Sequence, residues 1–91
     1  MRARLYFYFN KKEDGEQFLS ELENRNFAID KFAQIEWGEA NVQWSLIGSK
    51  GFKDMEELNT TEDELATIAE KCHGEFDGNE IALDPGSEFG G

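Results

Sequence analysis

Cysteine and histidine occur once each in this sequence of 91, and basic residues only nine times against twenty acidic ones. A single thiol, Cys72, cannot build an intramolecular disulfide framework or a cysteine-based metal cluster. Nine Lys and Arg against twenty Asp and Glu give a formal charge of −11. Nucleic-acid binding draws much of its strength from cationic contacts to phosphate, so that charge opposes direct binding of RNA or DNA. It opposes anionic membrane surfaces for the same reason. No apolar run approaches the length of a membrane span, and "MRARLYFYFN" has no apolar stretch followed by a small-residue cleavage site. A soluble, reduced, cytoplasmic protein is the expectation. The natural partner of such a surface is basic: another protein's cationic patch, or a metal ion.

Aromatic residues are plentiful, at 13% of the chain. A chain of this size buries only about 60–65% of its unfolded surface. Rings that each remove about 150–250 Å² from water must therefore supply much of the core. One domain is expected over residues 1–84, followed by a disordered tail at 85–91. The tail's "GSEF" is what two adjacent restriction sites encode, so Gly86 to Gly91 read as a cloning remnant and carry no functional weight.

"RLYFYFN" alternates as a strand does, with Leu5, Phe7 and Phe9 on one side and Arg4, Tyr6 and Tyr8 on the other. Asp14 with Gln17 reads as a helix start, Phe18, Leu19 and Leu22 form a stripe, and the polar "ENRN" ends it. Strand pattern returns at Phe27 and Ile29 and continues through Ala33, Ile35 and Trp37, with Phe32 out of phase, which predicts a bulge or an interruption near Lys31. "GEAN" reads as a hairpin turn, and Val42, Trp44 and Leu46 form one face of a third strand that fades at "GSKG". "FKDMEELN" is ambiguous between a loop and a helical turn. Thr61 and Glu64 have the T-x-x-E spacing of a capping box, and Leu65, Ile68, Ala69 and Cys72 follow on one helical face. Gly74 is placed to end that helix in the left-handed region, and Phe76, Ile81 and Leu83 form a last strand. The order β-α-β-β-α-β predicts an α+β, ferredoxin-like sandwich: a four-stranded antiparallel sheet with two helices on one face.

Several constellations invite chemistry. "EFDGNE" lacks the alternating ligands and twelfth-position Glu of a calcium loop, so no metal site is expected. Twenty carboxylates guarantee chance pairs, and so small a sandwich offers little cleft for paired-carboxylate catalysis. Cys72 and His73 are neighbours on a helix and diverge by about 100°, with no orienting third group. No catalytic or cofactor-binding residue is assigned. Phe76 and Ile81 are five apart, so an extra residue at Asp77-Gly78 would return them to one face and make "FDGN" a kink. Tyr6 and Tyr8 would stack bases in an RNA-recognition motif, but that motif's signature is absent from "NVQWSLIGSKGF". On a face without helices the two rings would instead form an aromatic patch, either for protein contact or simply as side chains that tolerate half-exposure on an open sheet.

Together "RLYFYFN", "FLSEL", the Trp37 and Trp44 hairpin and "LATIAEKCHGEFDGNEIAL" resemble the family of regulator of ribonuclease E activity B (RraB) over residues 3 to 83. The most specific part is the end, where the family's usual form is a Leu-Ala helix, a short turn and then Gly-x-Tyr-Asp-Gly-Trp. Leu65-Ala66, Gly74, Phe76, Asp77 and Gly78 occupy those places, with Phe76 and Asn79 standing for the tyrosine and tryptophan. The resemblance implies a bacterial, non-enzymatic inhibitor whose partner is ribonuclease E or its degradation complex. Tyr6, Tyr8, Asp77 and Gly78 are the candidate partner-binding residues. A small ligand-binding or homodimeric sensor domain is the competing expectation, since the same fold supports both.

Overall fold

The computed structural model describes residues 1–36 and 42–82. Trp37, the predicted turn at 38–41, Leu83 and the tail lie outside the described residues. The elements run β1 (Arg2–Phe9), α1 (Lys12–Asn24), β2 (Ala28–Glu36), β3 (Val42–Gly51), α2 (Met55–Lys71) and β4 (Gly74–Ala82). All strand pairs are antiparallel and the sheet order is β2-β3-β1-β4, the expected ferredoxin-like α+β arrangement.

The alternation in β1 decides the layering. Ala3, Leu5, Phe7 and Phe9 are buried, while Arg4, Tyr6 and Tyr8 are half-buried on the other side. Phe18 of α1 meets Phe7 at 4.5 Å and Phe9 at 5.4 Å between ring centroids. Leu58, Leu65 and Ala69 of α2 close the same cluster, so both helices cover the Phe7 face. Aromatic pairs of this kind add about 0.5–1.5 kcal/mol each beyond their burial.

Both helices start elsewhere than their cap signals predict. Helix α1 begins at Lys12 after an extended Lys11 that makes no side-chain cap bond. Asp14 therefore sits in the first turn beside Glu13, where carboxylates favour the positive end of the helix dipole. Helix α2 begins at Met55, well before Thr61. Asp54 is the cap, accepting a 2.9 Å bond from the Glu57 N–H, and Glu57 returns a carboxylate to the Lys53 N–H. Asn59, Thr60 and Thr61 are weak helix formers, but burial of Leu58 on the same face as Leu65 carries the helix through them. The ambiguous "MEEL" is its first turn.

The helix ends differ too. Asn26 (φ 68°) closes α1, with the Phe27 N–H reaching the Leu22 carbonyl, as "ENRN" led one to expect. After α2 the left-handed residue is His73 (φ 60°), not Gly74. Gly74 is the first residue of β4 and is needed for another reason. A Cβ there would lie 2.2 Å from a ring carbon of Phe9.

Strand β3 runs on through Gly48, Ser49, Lys50 and Gly51, paired with Leu5, Arg4, Ala3 and Arg2. A central strand is held by neighbours on both sides, which overrides the low strand propensity of glycine and serine. The bulge near Lys31 is present as a register shift between Ile29 and Lys31. It keeps Phe32 on the helix side, where it meets Trp44 at 5.3 Å. Ala33 and Ile35 consequently join the opposite face from Ile29, across from Ser45 and Gln43. The second bulge also lies where the sequence placed it. Tyr6 pairs with Gly78 and Phe7 with Phe76, leaving Asp77 as the extra residue.

Candidate partner-binding face

With both helices on the Phe7 face, the sheet face carrying Tyr6 and Tyr8 has no helix over it. Cross-strand neighbours on a face stand about 4.5–5.5 Å apart at Cβ, so the register maps this surface rung by rung. Ala33, Ser45, Tyr8 and Glu75 form one rung. Lys31, Ile47, Tyr6 and Gly78 form the next, and Ala28, Ser49, Arg4 and Glu80 the one beyond the β2 bulge.

The far end of this face is ionic. Arg4 spans the sheet, with Nη1 3.2 Å from Glu80 on β4 and Nε 3.6 Å from Asp30 on β2. Arg2 donates to the Ser49 hydroxyl at 3.4 Å. The Arg4 guanidinium is held above its ordinary value, first by its hydrogen bond to the Tyr6 hydroxyl and then by the carboxylates of Asp30 and Glu80, which together outweigh its desolvation. It stays charged, and Tyr6 is tied into this ionic end.

The near end is different. Tyr8, Ile35, Gln43, Glu75 and Asp77 line a shallow depression of about 360 Å³. Tyr8 is half-buried here, paired with the buried Ser45 on one side and Glu75 on the other. The bulge produces the Asp77 position. Gly78 takes φ +118°, a conformation that side-chain-bearing residues rarely adopt, and so absorbs the extra residue. Beyond it Asn79 and Ile81 return to the helix side, where Asn79 donates to Glu62 of α2.

All four candidate residues thus lie on adjacent strands, in two distinct settings. Tyr8 and Asp77 share the depression, while Tyr6 and Gly78 are cross-strand partners one rung away. Phe76 stands on the helix side, 5.3 Å from Phe7, and is a packing residue. Sequence reasoning did not find Glu75, Ile35 and Gln43, because strand register alone brings them beside Tyr8.

The net charge resides elsewhere. The two helices carry eleven carboxylates, five on α1 and six on α2, against Lys12 and Lys71. The four strands are nearly balanced, with five carboxylates against Arg2, Arg4, Lys31 and Lys50. The molecule has a strongly acidic helix layer and a mixed aromatic sheet face.

Other constellations give little chemistry. Cys72 is buried, at 6% exposure, and its thiol is pushed up by desolvation and by the charges of Asp14 and Glu21, opposite to the shift that makes a reactive thiolate. The exposed His73 points its Nδ1 to Asp14 at 3.8 Å, away from any role as its neighbour's base. Among the described residues no group of three or more His, Cys, Asp or Glu could hold a metal ion, and no helix is long and apolar enough to cross a membrane.

Residues 3–80 match the family model described as "Regulator of ribonuclease activity B". The match takes in β1 through the bulge of β4, and with them both halves of the open face. No curated protein matches the chain.

Proposed function

Because the chain belongs to the regulator of ribonuclease activity B family, we propose that it lowers the activity of a ribonuclease by binding a basic protein, without chemistry of its own. The expected target is ribonuclease E or a component of its degradation complex, met in the cytoplasm. The observation that carries this reading is the helix-free sheet face, where Tyr8 and Asp77 share one depression and Tyr6 and Gly78 sit beside them. A helix-free face of half-buried aromatic and aliphatic side chains with a polar rim has the make-up of a protein contact surface. The acidic helix layer adds long-range attraction, which steers a cationic partner and opposes competing RNA.

Edge pairing into a homodimer is disfavoured by the same geometry. Both edge strands, β2 and β4, are bulged and carry charged residues, features that turn a strand edge away from another chain.

The test is retention of proteins from the native host's lysate at low salt, with an unrelated acidic domain of equal charge as control. A cleavage assay with purified ribonuclease E should follow. Specific retention, and saturable inhibition that weakens as salt rises and is impaired by Tyr8→Ala, is expected. Retention no better than the control would end the protein-binding reading.

A further inference from the structure

The geometry points to a more specific role for the depression on the open face: it takes an arginine side chain from an extended segment of the partner protein. This rests on the protein-binding reading above and adds the chemistry of the contact.

The walls of the depression select the occupant. Tyr8 and Ile35 supply an aromatic ring and an aliphatic side chain, Gln43 an amide, and Glu75 and Asp77 two carboxylates, with no cation among them. Neither carboxylate makes an ion pair or a hydrogen bond among the described residues. The other carboxylates on this face, Asp30 and Glu80, are already engaged by Arg4. Both carboxylates are exposed beside Tyr8 and, among the described residues, unpaired, so their charge is available to whatever lies over that ring. A long cationic side chain matches this pattern, its stem covering Ile35 and its head reaching Glu75 and Asp77. Between the two cations, arginine fits better than lysine. Its planar guanidinium stacks on a tyrosine ring and presents a fork of donors to a carboxylate, whereas an ammonium is a compact, more strongly hydrated point charge. The Asp77 bulge matters because it puts a second carboxylate next to the one that β4 already sets opposite Tyr8, at Glu75.

The experiment titrates the isotope-labelled full chain with the peptide acetyl-Gly-Ser-Arg-Ser-Gly-amide, observed by NMR. Counterparts carrying lysine or the neutral citrulline are run beside it. Saturable shifts centred on Tyr8, Ile35, Gln43, Glu75 and Asp77 are expected with the arginine peptide. The lysine peptide should bind several-fold more weakly and the citrulline peptide should leave the spectrum unmoved. Asp77→Asn should weaken the arginine peptide at least about 10-fold, and Tyr8→Ala should do the same, with the fold of each variant checked from its own spectrum. Equal shifts from arginine and lysine spread along the carboxylates of α1 and α2 would overturn the proposal, as would an unaffected Asp77→Asn. The two readings fail separately. A chain that still retains its ribonuclease partner while the peptide ignores the depression loses only the arginine site. A chain that takes the peptide at the depression but retains nothing from lysate keeps the site and loses the partner.

Discussion

Gly74→Ala is expected to destabilise the protein far more than a single methyl group would on most strands. A Cβ built at this position lies 2.2 and 2.3 Å from two ring carbons of Phe9 and 2.9 Å from a third. Non-bonded carbons rest near 3.5–4.0 Å, so the ring must withdraw by more than about 1 Å. It has little room to do so. Phe9 is 1% exposed and packs on Phe18, which packs on Phe7. Overpacking of a close-packed core costs about 1–3 kcal/mol, and a clash against a buried ring belongs at the upper end, near ~2–3 kcal/mol. At about 4–8 °C per kcal/mol for a domain of this size, the melting temperature should fall by about 10–20 °C. Thermal and urea unfolding followed by circular dichroism would measure it. The companion variant Phe9→Leu removes the obstructing ring edge and should cost about 1–2 kcal/mol alone. The double variant should then be less destabilised than the sum of the two by at least ~1 kcal/mol. A loss below ~0.5 kcal/mol for Gly74→Ala, or strict additivity with Phe9→Leu, would refute the reasoning.

Gly78→Ala, four residues on, tests the opposite case. Nothing lies within 4 Å of its Cβ, so the expected loss of about 1–3 kcal/mol comes only from holding a side-chain-bearing residue at φ +118°, and no change in unfolding free energy would contradict the bulge. Asp54→Ala should remove the α2 cap and cost about 1 kcal/mol, while Thr61→Ala, inside the helix, should be near neutral; the reverse order in urea unfolding would restore the cap at Thr61. For Cys72 the folded thiol titrates above its ordinary value of 9.0, so the folded state holds its proton more tightly than the unfolded one does. Its contribution to stability is complete below that pH and is lost as the pH rises past it through the folded value. The stability of the protein should therefore fall more steeply as the pH rises above 9 than that of Cys72→Ala, and parallel curves would show that burial does not hold the proton.

Much of the fold was legible because its signals are local. The alternation of Leu5, Phe7 and Phe9 with Arg4, Tyr6 and Tyr8 follows from the two-residue repeat of a strand, which needs no partner to be read. The two bulges showed as phase errors, Phe32 in one strand and the Phe76–Ile81 spacing in the other, since a slip of one residue would send an apolar side chain to water. The helix starts were misread for a matching reason. Asp14-Gln17 and Thr61-Glu64 have capping spacing, but the start actually used depends on where the apolar stripe first finds a core, and Leu58 finds one before Thr61 is reached.

The candidate site divides along the same line. Sequence by itself determined that Tyr6 and Tyr8 share a face, that Asp77-Gly78 is a kink, that the chain is strongly acidic, and that its motifs resemble a family of ribonuclease regulators. Tertiary structure alone decided which face the helices leave open, that Tyr6 is tied to Arg4 while Tyr8 is free to line a depression, and that Glu75, Ile35 and Gln43 stand around it. It also placed the net charge on the helix layer, away from the aromatic face. The physical reason is range. Periodicity and turn chemistry act over a few residues, whereas the surroundings of Tyr8 come from strands more than 25 residues further along the chain, brought together by burial of a core on the other side of the sheet.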